Sequence, residues 1–336
     1  MLIGIIGLGS MGKRRARNLR SLGYNNIVGF DSRLDRCNEF SDVMSLPVFD
    51  NWKSFEENNF DAIIISVPPD AHLEYMNWSV SRGISFFVEA SVLREGLLEC
   101  YEKAKEKAII AAPSCTLRFH PAIQKIKQIF LDGSIGNLSN INYCSGQFLP
   151  DWHTYESVAE YYVSKKETGG AREIVPFELT WMLDIWGFPK SVMGFYGKTI
   201  EIPGAENIDD TYSAILTLNE GILALTVDVV SRQAVRHLII NGSEGQIQWN
   251  WSNSYISIFN DKSEEERISF TAKKAHEGYN SNITEEMYEL EMSAFIESLS
   301  NRTPFPNDLI FDDRVLKVLE AIETSSDSRT SQILYL

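Results

Sequence analysis

The chain has 336 residues, 44% of them hydrophobic, enough for two domains each with its own core. A formal net charge of −15 repels phosphate backbones and anionic lipid, so neither nucleic acid nor a membrane is an expected partner. Cys37, Cys100, Cys115 and Cys144 match no metal spacing or disulfide framework, and no apolar stretch reaches membrane length. These features lead us to expect a cytoplasmic protein with no metal site.

Leu2, Ile3, Ile5 and Ile6 form a short apolar run of the kind buried on both faces of a parallel sheet. Gly7, Gly9 and Gly12 follow at G-x-G-x-x-G spacing, and residues 11–22 read as a helix stopped at Gly23. That spacing allows a tight turn, close approach of a pyrophosphate to the backbone, and close helix–strand packing. The helix start adds free N–H groups and a positive dipole end, so Leu8, Ser10 and Met11 join the glycines as candidate cofactor contacts. Residues 27–30 read as the second strand, and Asp31 ends it, 19 residues beyond Gly12. A carboxylate there holds the ribose hydroxyls of NAD and repels a 2′-phosphate. Ser32 and Arg33 lie beside it, and Arg33 keeps NADP open. The basic run 13–17 with Arg20 reads as a solvated face of the first helix.

Further along, a helix (34–40), a short strand (46–49) and a strong strand (61–69) ending at paired prolines are predicted. A helix (71–82), a strand (85–90), a helix (95–107) and a strand (108–112) complete an alternating pattern. Such alternation predicts a parallel sheet covered on both faces, with ligands beyond the carboxyl ends of its strands. Residues 66–69, 89–91 and 113–118 are therefore expected to rim the crevice of the glycine turn. The dinucleotide-binding domain is placed at 1–118 and a second domain, for substrate and oligomer contacts, at 119–336. There a helix (121–130) precedes residues 135–148, which alternate like an exposed-edge strand. Strands at 191–200, 211–218, 222–230, 237–241, 246–251 and 254–259 without intervening helices predict a large, mostly antiparallel open sheet. Residues 261–267 read as a solvated loop, and 284–299 and 312–324 as helices. An α/β Rossmann domain plus an α+β domain is the fold expected.

Several landmarks recur in a familiar order: Gly7-Leu-Gly-Ser-Met-Gly12, Asp31, Ser66-Val-Pro-Pro-Asp-Ala-His72, Phe87-Val-Glu89, Arg118-Phe-His-Pro121, and Gly169-Gly170 ahead of a helix. In these the chain resembles the Gfo/Idh/MocA oxidoreductases, NAD(P)-dependent enzymes acting mostly on sugars, cyclitols and nucleotide sugars. The resemblance implies cofactor contacts at Ser66, Val67, Pro68, His72, Glu89 and Arg118. Residues 147–153 and 161–170 resemble members from bacterial surface-polysaccharide and nonulosonic-acid pathways. Two departures stand out. Glu89-Ala-Ser91 replaces the family's Glu-Lys-Pro, and Phe177 and Thr180 stand where a histidine and an aspartate are usual.

Hydride transfer at a carbinol needs a group to take or give the hydroxyl proton. With the usual lysine and histidine missing, the charged run 165–178 holds the replacements. Glu178, Glu173 and Lys166 are the catalytic candidates. Lys165 and Arg172 are placed to clamp a substrate phosphate or carboxylate, and Asp151, Trp152 and His153 to face a sugar. The competing reading makes these charges ordinary helix-start residues. Function is then expected to be NAD(P)-dependent oxidation or reduction of a sugar or nucleotide sugar. The alternative is a dinucleotide-binding sensor without turnover. A homo-oligomer, dimer or tetramer, is expected from the open sheet.

Overall fold

The computed structural model describes residues 1–152, 156–271 and 284–336. It divides into two compact units, 1–116 with 288–313 and 117–287 with 314–336. Residues 288–313, expected in the second domain, therefore belong to the first.

The first unit opens with β1 (Ile3–Ile6), α1 (Ser10–Ser21), β2 (Ile27–Phe30) and α2 (Leu34–Met44). It continues through β3 (Val48–Phe49), α3 (Trp52–Glu56), β4 (Ala62–Ile65), α4 (His72–Arg82), β5 (Ser85–Val88), α5 (Leu97–Glu106) and β6 (Ala111–Pro113). Among the described residues the strands form one six-stranded parallel sheet in the order β3-β2-β1-β4-β5-β6. Every residue of β1, β2 and β4 is buried, which explains their unbroken apolar runs. Strand order reverses between β1 and β4, the point beyond whose strand ends such sheets bind their ligands. The sequence reading had no counterpart for α3, which Asn51 caps by accepting from the Ser54 N–H.

The basic run on α1 is a solvated face only in part, Arg20 being exposed. Arg14 and Arg15 are 1% and 0% exposed. Arg14 lies 4.2 Å from the Tyr288 ring centroid, and Arg15 is enclosed by Phe87, Tyr288, Glu89 and Glu291. A guanidinium is weakly hydrated and stacks on rings, so carboxylates and aromatics together can hold it away from water.

The second unit carries α6 (Pro121–Leu131), β7 (Leu138–Phe148) and α7 (Gly170–Trp186). Then come β8 (Ser191–Gly197), β9 (Thr211–Thr217), β10 (Ile222–Asp228), β11 (Val230–Gly242), β12 (Gly245–Asn250), β13 (Tyr255–Asn260) and β14 (Glu265–Ser269). Helices α8 (Glu285–Asn301) and α9 (Leu309–Ser328) run across the unit boundaries, and β15 (Gln332–Ile333) ends the chain. Among the described residues nine strands form one sheet in the order β14-β13-β12-β11-β7-β10-β9-β8-β15. All neighbours are antiparallel except β7 and β10.

β7 is an interior strand between β11 and β10, not an edge. Its alternation arises because Ile141, Tyr143 and Ser145 are buried beneath the sheet while the residues between them take the other face. The charged stretch 261–267 is not all loop either, since β14 pairs with β13 from Glu265 onward as a charged edge strand. On the open face, Met193, Phe195, Ile215 and Ile222 are exposed. Among the described residues no helix is long and apolar enough to cross a membrane.

Candidate active site

The glycine turn joins β1 to α1. Gly7 has φ +90°, and a Cβ there would come within 2.5 Å of the Ser66 carbonyl oxygen. A Cβ on Gly12 would lie 1.9 Å from the Gly7 carbonyl oxygen, so α1 packs directly on its own turn. Gly9 is different: within 4 Å of its missing Cβ lies only the Arg36 guanidinium, at 3.4 Å, among the described residues. Gly9 is the N-cap of α1, which has neither a capping side chain nor an acid in its first turn. The start of α1, uncapped by any side chain, thus offers its N–H groups and dipole end to an anion.

Asp31 is 7% exposed and is tied back to this turn. Its Oδ2 accepts from the Leu8 N–H at 2.8 Å and its Oδ1 from the Arg33 N–H at 2.9 Å. Each oxygen keeps a lone pair for a ribose hydroxyl. Ser32 and Arg33 are exposed, and the Arg33 guanidinium pairs through two nitrogens with Asp35, whose pKa it lowers. Both the open backbone at Gly9 and the anchored Asp31 fit a dinucleotide.

Beyond β4, Ser66, Val67 and Pro68 are half-buried. His72 is buried with Nε2 2.9 Å from the Val67 carbonyl oxygen, and burial lowers its pKa. A neutral imidazole donating to that carbonyl pins the turn. The Ser66 hydroxyl donates to Glu89 Oε1 at 3.1 Å, and Glu89 is clasped by Arg15. Arg118 belongs to the second unit, where Nε donates to the Thr180 carbonyl at 3.2 Å and Nη1 lies 3.5 Å from Asp184. His120 is buried against Trp249 and Trp251 and caps α6, its Nδ1 accepting from the Ala122 N–H. Burial, reinforced by Arg236, pushes its pKa down to about 3.

In the second unit the paired glycines open α7. A Cβ on Gly169 would lie 2.0 Å from the Val163 carbonyl oxygen, and one on Gly170 (φ +61°) 2.6 Å from that of Asp209. The helix start therefore wedges between these two backbones. One turn in, Glu173 accepts a hydrogen bond from the Tyr162 hydroxyl at 2.5 Å on Oε1. Its Oε2 is buried with no hydrogen-bond partner among the described residues. Burial raises the Glu173 pKa to about 8 against the opposing effect of the Tyr162 hydroxyl. Arg172 gives Nε to Glu323 Oε1 at 2.7 Å and Nη1 to the Glu167 carbonyl at 2.6 Å. Lys165 and Lys166 are exposed, as is Asp151, while Trp152 is half-buried. His153 lies outside the described residues.

Glu178 occupies a different environment, although it is on the same helix. It is 0% exposed, and its two oxygens receive Tyr143 at 2.7 Å, Ser145 at 2.8 Å, Trp181 at 3.1 Å and Arg236 Nε at 2.8 Å. Arg236 in turn stacks 4.6 Å from the Trp251 ring centroid. With four donors in place, this carboxylate cross-links α7, β7 and β11.

A family model described as an oxidoreductase family with an NAD-binding Rossmann fold matches residues 1–110. A second, the GFO/IDH/MocA C-terminal domain, matches residues 123–248. The chain belongs to the Gfo/Idh/MocA oxidoreductases. Solved structures of similar fold include a levoglucosan dehydrogenase crystallised with NADH and levoglucosan, at 16% identity and TM-score 0.85 over 100% of both chains. Another is an Agrobacterium radiobacter oxidoreductase in complex with NAD+, L-tartaric acid and magnesium, at 12% identity and TM-score 0.85 over 99% of this chain and 98% of that one. An NAD-binding oxidoreductase from Klebsiella pneumoniae has 15% identity and TM-score 0.82 over 100% and 99%. Comparison with the curated proteins gives no match.

As a Gfo/Idh/MocA oxidoreductase the chain binds NAD through its first unit. Sequence reasoning found the glycine turn and Asp31 but missed Tyr162, Arg15 and Glu291. Arg15 had left a signal: with Gly12, Ala16 and Leu19 it falls on one helical stripe, and all four are buried. Glu291 had none, because its partners lie far off in sequence, and Tyr162 had none, because no periodicity links it to Glu173 across the start of α7. Two measurements follow from the contrast between the carboxylates. Glu178→Ala should lower stability in chemical denaturation by about 3–5 kcal/mol, since Arg236 loses its buried partner. For Glu173, the folded protein keeps a proton that the unfolded chain releases between the usual 4.5 and about 8. Its stabilising contribution is therefore full at low pH and declines as pH rises through that window. Denaturation of Glu173→Gln across the same range should show that decline removed.

Proposed function

We propose that this protein oxidises or reduces a carbinol or keto carbon of a sugar or nucleotide sugar with NAD(H), and that Glu173 is its proton shuttle. The observation that carries the reading is the buried Glu173 carboxyl, oriented by Tyr162 and with Oε2 unclaimed. A bound nicotinamide supplies the hydride donor or acceptor. The protein's part is to hold the substrate and move the hydroxyl proton. An acid with its pKa raised to about 8 keeps a proton near neutral pH and can also release it. Because the Tyr162 O–H donates to Oε1, that proton resides on Oε2. Glu178 is the poorer choice, since four donors already occupy its two oxygens.

The exposed Lys165 and Lys166 suit an anionic substituent such as a phosphate, with Lys166 as charge partner rather than acid or base. Arg172 is committed to Glu323 and braces the helix start. Asp151 and Trp152 offer a polar group and a ring to a sugar face. The levoglucosan bound by a protein of the same fold supports the sugar class. A regulator that binds the dinucleotide without turnover is the second reading, favoured by Ala90 and Phe177 in place of the family's lysine and histidine. We infer also that the exposed Met193, Phe195, Ile215 and Ile222 mark a self-association face.

The test is absorbance at 340 nm during a screen of sugars, sugar phosphates and nucleotide sugars. Turnover is expected, and Glu173→Gln should reduce kcat by about 10²- to 10⁴-fold with NADH affinity unchanged. Undiminished kcat would remove Glu173 from the mechanism. NADH binding with no turnover on any substrate would favour the regulator.

A further inference from the structure

The ladder between β7 and β11 is interrupted near one end. Phe148 pairs with Val230 and Gly146 with Val235, so residues 231–234 stand opposite Gln147 alone. Such an insertion bends a strand and re-aims its side chains. This one is held from several sides. Asp228 accepts from the Val230 and Ser231 N–H groups at 3.0 and 2.8 Å, and from the Ser231 hydroxyl at 3.0 Å. A Cβ on Gly146 would lie 2.4 Å from the Ser231 hydroxyl oxygen, so the bulge packs directly on β7. The Arg232 guanidinium covers the Phe148 ring at 3.7 Å.

The bulge leaves a cavity whose walls include Gln147, Ala234, Val235, Arg236 and Trp251. It has room for one small group and not for a ring. Arg236 gives Nε to Glu178 Oε1 at 2.8 Å and lies over the Trp251 ring, so its charge is balanced within the protein. Gln147 is half-buried, and among the described residues its amide makes no hydrogen bond. That amide offers both a donor and an acceptor, and leaving them unmet inside a cavity is costly. Ala234, Val235 and the Trp251 ring supply apolar wall. The group that matches this lining is neutral, carries an N–H and a C=O, and ends in a methyl. A carboxylate would bring a charge whose counterion Glu178 has already taken.

The cavity is placed for a substrate. Gln147 follows Tyr143 and Ser145, both bonded to Glu178 of α7, on the alternate positions of β7 that face this helix. Ala171 at the start of α7 donates its N–H to the Asp209 carbonyl, Val229 donates to that of Asp210, and Leu149 to that of Val229. The helix start bearing Glu173 and the end of β7 bearing Gln147 are thus at one end of the sheet. Glu178, which holds Arg236, follows Glu173 by five residues, about 7.5 Å of helix rise. A sugar ring with one substituent can bridge such a span.

We propose that this cavity receives the acetamido group of an N-acetylated sugar, its C=O and N–H matched by the Gln147 amide and its methyl set against Trp251 and Ala234. The inference rests on the sugar reading of the second unit, and its test reads binding rather than turnover.

The test is a saturation-transfer NMR titration of the full chain with NADH present, using N-acetylglucosamine, glucose and glucuronate as probes. N-acetylglucosamine should bind about tenfold more tightly than glucose, with the strongest transfer to its acetyl methyl. Gln147→Leu removes the amide at nearly constant volume, and Ala234→Leu fills the cavity from its apolar wall. Each should lower N-acetylglucosamine affinity about tenfold and leave glucose within about twofold. No methyl signal, or one that persists undiminished in either variant, would overturn the proposal. So would tighter binding of glucuronate, which would make the cavity a carboxylate site. Turnover of plain sugars without a methyl signal sinks this proposal alone, whereas a methyl signal without turnover sinks only the redox reading.

Discussion

The contact on which the first unit depends is the approach of α1 to its own turn, where Gly12 faces the Gly7 carbonyl with no space for a Cβ. That approach aims the uncapped N–H groups of α1 into the space beyond β1. It also brings the Leu8 N–H onto Asp31, so a buried hydrogen bond ties the turn to the tip of β2. A pyrophosphate and a ribose are then met by groups that need not move to receive them. Such preorganisation is where binding energy is gained in a polar site, because the protein dipoles are already ordered before the ligand arrives.

Burial alone does not decide what a carboxylate does in this protein. Glu178, on α7, is surrounded by a cation and three neutral donors, and it joins three elements of the second unit. Glu173, five positions earlier on the same helix, has one hydroxyl donor and a raised pKa. Donors to the charged form hold a carboxylate ionised, whereas desolvation without them favours the neutral acid. One helix thereby carries a carboxylate that ties three elements together and another that we propose for proton transfer. Glu89 is a third case, clasped by Arg15.

The parallel sheet was legible because its strands are unbroken apolar runs closed by glycine and proline. Asp31 was legible because its distance from Gly12 is fixed by one helix and one strand. Other features were misread for identifiable reasons. β7 alternates in sequence whether it lies at an edge or in the interior, since alternation reports which faces are buried and not which neighbours a strand has. The arginines of α1 looked solvated because charge outweighed helical position, and the carboxylate of Glu291 lies far along the chain. Glu178 and Glu173 were indistinguishable in sequence. Only the donors brought by β7, β11 and the segment before α7 separate them.

Selection of NAD rests on the glycine turn and Asp31 acting together. Calorimetric titration with NADH and NADPH under identical conditions tests this most directly. Saturable NADH binding is expected, with NADPH weaker because its 2′-phosphate meets the anchored Asp31 carboxylate while Arg33 is engaged by Asp35. Tighter binding of NADPH, or no binding of either, would contradict the account.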